Sequence, residues 1–127
     1  QSRLFPDMFP LLRQVQIAAD FAKSVSARLA GVDVPAWDDG ETSFADLQAR
    51  LARTKDFITG LDAAAFEAAA GREIVLRPGT PKERKLSGEA YLLHYGLPQF
   101  LFHVTTSYAL LRHAGVEIGK RDFMGSY

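Results

Sequence analysis

An all-α bundle carrying one small β-hairpin is the fold class that this sequence predicts. Three observations lead there. Apolar residues recur every three or four positions over three long segments. Capping residues and glycines mark where those segments start and stop. The only strand-like runs flank a single Pro-Gly turn. The 127 residues make one domain, 1–127, with material for one core and no need of a covalent staple.

The first helix is expected from about Pro10 to Leu29. Its apolar stripe is Leu11, Val15, Ala18, Phe21, Ala22, Val25 and Leu29, and its polar face is Arg13, Gln16, Asp20, Lys23 and Ser24. On this register Gln16 points to water. Gln14 lies three residues after Leu11 and four before Ala18, on the apolar side. The stretch from Gly31 to Gly40 reads as loop. Thr42 or Ser43 caps a second helix, with Asp46 three residues after Ser43 in an acidic capping box. Phe44, Leu47, Leu51, Ile58 and Leu61 form its stripe, and Gly60 marks its fraying end. Asp62 caps a short alanine-rich turn, Ala63 to Ala70, which Gly71 closes.

Glu73–Arg77 and Glu83–Leu86 flank Pro78-Gly79-Thr80-Pro81 and make the hairpin. A lone hairpin is marginal in water, so it must pack on a helix. The third helix runs from Ser87 or Gly88 to about Ala114, where Gly115 stops it. Pro98 deletes the backbone bond to the carbonyl of His94 and predicts a kink. Three long helices are one fewer than the commonest bundle has. An apolar face that this chain alone does not bury is therefore expected, to be covered by a further helix or by a second copy.

Composition excludes several functions. There is no cysteine, so disulfides, thiolate metal sites and a cysteine nucleophile are out, which suits a cytoplasmic protein. Fifteen basic residues balance fifteen acidic ones, so no nucleic-acid partner is expected. The run Lys82-Glu83-Arg84-Lys85 reads as a solvated turn. No apolar run approaches the ~20 residues that cross a bilayer, so no membrane partner is expected. The N-terminus, Gln1 to Pro6, lacks both a signal-peptide core and a starting methionine, and reads as trimmed. Phosphate-loop, dinucleotide and nucleophile-elbow motifs are all missing.

The three histidines, His94, His103 and His113, all lie on the third helix. At 100° per residue His103 sits about 180° around the helix from His94, and His113 about 80° from His103, so the three do not converge on one metal. A different group stands out. Gln99 and His103 are four residues apart on one face, with Gly96 a turn before and Ser107 a turn after. With Gln14 they are the polar residues that point into the bundle. Two readings of the trio are open: a satisfied polar cluster that sets helix register, or a small-molecule or metal-assisted site.

The stretch His94-Tyr95-Gly96-Leu97-Pro98-Gln99-Phe100-Leu101-Phe102-His103, continuing through Arg112-His113-Ala114-Gly115 to Phe123, and the stretch from Pro10 to Lys23, resemble an uncharacterised bacterial family of domains of unknown function within the DinB/YfiT-like superfamily. The resemblance covers essentially the whole chain. It implies an up-down four-helix bundle whose first helix precedes Phe5 and is missing here, and a homodimer. Metal-binding members of the superfamily place one histidine on the second bundle helix and a His-x-x-x-His pair on the last. On this register His103 matches the second histidine of the pair, Gln99 stands in place of the first, and Gln14 takes the second-helix position. Two of three ligands are then amides, which are weak ligands for zinc or nickel.

The expected function is accordingly that of a non-catalytic, dimeric or stress-related bundle protein with a degenerate metal site and no cofactor. The alternative is a metal- or thiol-cosubstrate-dependent transferase or hydrolase acting in a pocket around Gln14, Gln99 and His103. There His103 would ligate a divalent metal such as zinc or nickel, and a small molecule would be the ligand. Whether the protein is an enzyme stays open at this point.

Overall fold

The computed structural model describes residues 1–127 and has the predicted helical fold with its hairpin. Helix α1 spans Leu11–Ala30 and α2 spans Phe44–Thr59. A 3-10 turn at Ala63–Phe66 follows, then strands β1 (Glu73–Leu76) and β2 (Arg84–Ser87). Helix α3 (Gly88–Tyr91) passes through a π-helical turn (Leu92–Gly96) into α4 (Leu97–His113), and a short α5 (Lys120–Met124) ends the chain. Helix α1 is the central element and packs on both α4 and α2. No helix is long and apolar enough to cross a membrane.

The start and stop signals act as predicted. Gly31 ends α1 in the left-handed conformation at φ 72°. Ser43 and Asp46 close both halves of the capping box on α2. Asp62 accepts from the Ala64 amide at 3.0 Å to start the alanine-rich turn. The kink expected at Pro98 takes the form of the π turn immediately before it. There the Leu97 amide reaches back to the Leu92 carbonyl, five residues away. That wider turn absorbs the bond and the space that proline denies to an ordinary α-helical turn.

The hairpin pairs Leu76 with Arg84 and Ile74 with Leu86. Ile74 and Leu76 are buried, and with Val25, Leu29, Ala69 and Tyr91 they form the apolar core at the C-terminal end of α1. Backbones meet closely here. A Cβ on Gly88 would stand 1.8 Å from the Ala69 carbonyl oxygen, so no side chain fits at that position. Arg77 enters the turn at φ 50° although Pro78 follows. Both its side chain and the proline disfavour that conformation, which stores about 1–3 kcal/mol of strain. The Thr80 hydroxyl, donating to the Arg77 carbonyl at 2.8 Å, holds it there.

Two expectations about faces need correction. Gln16 does not point to water. It is 2% exposed, because the loop after α1 folds back over that face and the Gln16 amide donates to Glu41 at 2.7 Å. Lys23, on the same expected polar face, is also buried, with its ammonium 4.3 Å from the centre of the Trp37 ring. Helix α2 does not present Leu51 and Phe44 to α1. Both are exposed, and Leu47, Arg50 and Thr54 face inward instead. Ion pairing of Arg50 sets that roll of the helix.

The uncovered apolar face expected from the helix count is present. Leu93, Leu97 and Leu101, each four residues after the last, are 48%, 41% and 47% exposed, and Phe102 beside them is 55% exposed. Phe5 and Phe9 of the N-terminal segment are likewise exposed.

Candidate functional site

Of the three residues that the sequence singled out, the structure brings two into contact. Gln14 sits one turn into α1 and His103 near the middle of α4, and the crossing of these helices puts them side by side. His103 Nδ1 and Gln14 Oε1 are 2.7 Å apart, with Gln14 1% and His103 8% exposed. The Gln14 amide nitrogen donates to the Phe9 carbonyl at 3.1 Å, which turns its carbonyl oxygen toward the histidine. A ring nitrogen facing a carbonyl oxygen must carry the proton, so the network assigns the Nδ1–H tautomer to His103. The lone pair is then on Nε2.

The ring is held from three other directions. Phe21 stacks on it at 5.9 Å and 14°, and Phe102 meets it edge-on at 5.1 Å. One turn later the Ser107 hydroxyl donates to the His103 carbonyl at 2.8 Å. Burial, with a smaller contribution from nearby Arg13, holds the imidazole below its ordinary value, so it is neutral at physiological pH. Its contribution to stability is whole above the unfolded value of about 6.5 and fades as acid takes it through the lower folded value.

Gln99 does not join the pair. It is half-buried one turn before His103, and its amide bonds to neither partner. His94 and His113 are exposed and lie apart from His103, as the helix angles predicted. No group of three histidine or carboxylate side chains is arranged to hold a metal ion. None of the five principal cavities is lined by Gln14, Gln99 or His103.

The donor set therefore fits zinc or nickel poorly. One imidazole offers Nε2, the Gln14 oxygen is already engaged, and Gln99 supplies another amide. What the arrangement does well is bind α1 to α4 through a polar contact whose groups are mostly satisfied. The Nε2 atom is the exception. It has no protein partner, yet it is not sealed from solvent, since Arg50 Nε is the one fully buried side-chain atom left unpaired.

The largest polar assembly in the molecule was missed by sequence reasoning. Arg50, its side chain 3% exposed, binds Glu41 at 2.8 Å, Asp20 at 2.9 Å and Asp39 at 2.9 Å. It also donates to the Asp38 carbonyl at 3.1 Å. Burial works to raise the Glu41 carboxyl, but hydrogen bonds from Arg50 and Gln16 outweigh it and leave the group below the usual carboxylate range. Trp37 lies between Lys23 and Arg53, each 4.3 Å from its ring centre. The signal for this cluster was the charge pattern: Asp38, Asp39 and Glu41 in the loop, then Arg50 and Arg53 on a helix with few apolar residues.

Comparison with known proteins agrees with the fold and the sequence resemblance. No curated protein matches the chain. The crystal structure of a DinB family member protein from Shewanella denitrificans is similar, with 41% identity and a TM-score of 0.91 over 99% of this chain and 71% of that one. Residues 1–124 match a family described as a domain of unknown function, DUF1993. The chain belongs to the DUF1993 family, within the DinB-like superfamily.

Proposed function

We propose that this protein is a non-catalytic bundle protein in which the metal position of its superfamily has become a structural contact. The observation that carries this reading is the 2.7 Å bond between His103 Nδ1 and Gln14 Oε1, with the ring packed on Phe21 and Phe102. A histidine that serves catalysis opens onto a pocket of ligand size, and His103 lines none of the principal cavities, although its neighbours Val104 and Ser107 line an apolar one with Val15 and Tyr108. In this role His103 fixes the register of α4 on α1.

The test is the metal content of protein purified without a histidine tag, by plasma mass spectrometry. The expected result is no stoichiometric zinc, nickel or iron, before or after incubation with zinc and nickel. His103→Ala is expected to lower stability by about 1–3 kcal/mol, because the Gln14 carbonyl oxygen is left buried and unpaired. Near-stoichiometric metal that is lost in His103→Ala would overturn this reading and revive the second, a metal- or thiol-cosubstrate-dependent transferase or hydrolase. The open lone pair on His103 Nε2 favours that reading.

The same proposal includes a homodimer. The stripe of Leu93, Leu97 and Leu101 with Phe102 is an apolar face of the kind that self-association covers. Sedimentation equilibrium is expected to give twice the chain mass. A monomer at all concentrations would remove the dimer and leave the rest of the proposal standing.

A further inference from the structure

A second feature lies at the other end of α1, four turns beyond Gln14. The hairpin, the end of α1 and the π turn enclose a cleft of about 500 Å³. Arg28, Arg77, Lys82, Arg84 and His94 line it, and no aspartate or glutamate does. In a chain whose charges balance overall, such an accumulation of one sign is a local arrangement and not a consequence of composition.

These cations are free for a ligand. The five ion pairs of the molecule involve only Arg13, Lys23 and Arg50 on the basic side. Arg28 has one side-chain partner, the Tyr91 hydroxyl, to which it donates at 3.1 Å. That bond orients the guanidinium without neutralising it. Glu83, the acid within the basic run, is turned away. Its carboxylate accepts from the Gly79 amide at 2.7 Å and so belongs to the turn. Strand alternation places Arg84 and Leu86 on the cleft face of β2, while Lys85 between them lies on the other. Arg77 joins the cleft from a left-handed conformation, and residues held in that way cluster at ligand clamps. His94 joins it from the π turn, an irregularity that is frequent at functional sites.

The rest of the lining is apolar. Leu76, Leu86 and Tyr95 contribute to the wall. Arginines beside an apolar and aromatic surface, one of them oriented by Tyr91, suit a ligand with a bidentate anion at one end and a hydrophobic or planar group at the other. The concavity and its size fit a small molecule, and the balanced charge elsewhere gives no track for a nucleic-acid backbone.

We propose that this cleft is a binding site for a small phosphorylated metabolite, one carrying a diphosphate or two phosphate groups, held by Arg28, Arg77, Lys82 and Arg84. The site is separate from the Gln14–His103 contact and does not depend on the role assigned to it.

Isothermal titration calorimetry of the full chain with inorganic pyrophosphate tests the proposal, with orthophosphate and sulfate at matched ionic strength of about 0.15 M as controls. Saturable one-to-one binding of pyrophosphate, tighter than that of orthophosphate or sulfate, is expected. The double variant Lys82→Gln/Arg84→Gln changes two exposed residues and should fold normally. It is expected to weaken binding by about tenfold or more. Lys85→Gln removes the same kind of charge from the other face of the strand and is expected to leave the affinity within about twofold. No saturable binding of pyrophosphate would overturn the proposal. So would equal weakening by Lys85→Gln, which would reduce the effect to general electrostatics. Binding of single-stranded RNA or anionic vesicles without binding of pyrophosphate would also overturn it.

Discussion

Replacing Arg50 with alanine is expected to destabilise the fold by about 3 kcal/mol, measured by urea unfolding at neutral pH. The substitution removes the one cation that Asp20, Asp39 and Glu41 share, leaving Asp20 paired with Lys23, Asp39 with Arg13, and Glu41 with no cation. Glu41, 12% exposed, bears most of the loss, since it cannot recover its hydration. Asp20 and Asp39 keep 36% and 39% of their side-chain surface in water, and screening there holds the effect at the lower end of what a broken buried pair costs. Arg50→Lys should recover only part of the loss, because an ammonium cannot reproduce the fork that reaches three partners.

The pH dependence of that effect has a definite sign. The folded Glu41 carboxyl lies below its unfolded value, so its contribution is fully present above about pH 4.3 and disappears as pH falls through the folded value. The native protein should therefore lose stability in acid. Arg50→Ala keeps only the part of that contribution that comes from the Gln16 and backbone hydrogen bonds, so it has less to lose in acid. The gap between the two proteins should narrow steadily below about pH 4. A constant gap across that range would mean that Arg50 acts by packing and not by charge.

The Arg50 assembly also shows where a sequence stops being legible. Helix limits could be read because their causes are local: Ser43 and Asp46, Gly31 and Pro98 act within a turn of their own positions. The inward side of α1 could be read for Gln14, since apolar neighbours three and four residues away decide it. The burial of Gln16 and Lys23 could not. What covers them is a loop more than a dozen residues later in the chain, and helical periodicity holds no information about that loop. The roll of α2 was misread for the same reason. Leu51 fits an apolar stripe better than Arg50, but three carboxylates from other segments outweigh one leucine. At the candidate site the sequence supplied the contact between Gln14 and His103 and also placed Gln99 with them. Gln99 is only half-buried and bonds to neither, because sharing a helix face with His103 does not fix how far that face turns toward α1. The basic cleft was reduced to a solvated turn because Arg28 and His94, distant in sequence, meet Lys82 and Arg84 only in the fold.

Tyr91 gives the other large expected effect. Its side chain is 0% exposed and sits among Val25, Leu29, Ala69, Ile74 and Leu76, where the hairpin joins the helices. Its ring stacks on Tyr95 at 5.6 Å. Tyr91→Ala should cost about 4 kcal/mol, the usual result of emptying a buried aromatic site that cannot collapse. A loss of that size removes much of the roughly 5–15 kcal/mol that holds a domain folded. Collapse is opposed here by the Gly88 backbone, which already touches the Ala69 carbonyl and leaves the hairpin no room to shift inward. Tyr91→Phe separates the ring from its hydroxyl. It keeps the packing and gives up only the bond from Arg28, so it should cost about 1 kcal/mol. The two variants should differ in one more respect. With the ring in place but the hydroxyl gone, Arg28 loses the contact that orients it toward the basic cleft. Tyr91→Phe should then weaken pyrophosphate binding several-fold while the fold stays intact. If Tyr91→Phe binds as the native protein does, the hydroxyl serves the core alone, and Arg28 finds the anion without its help.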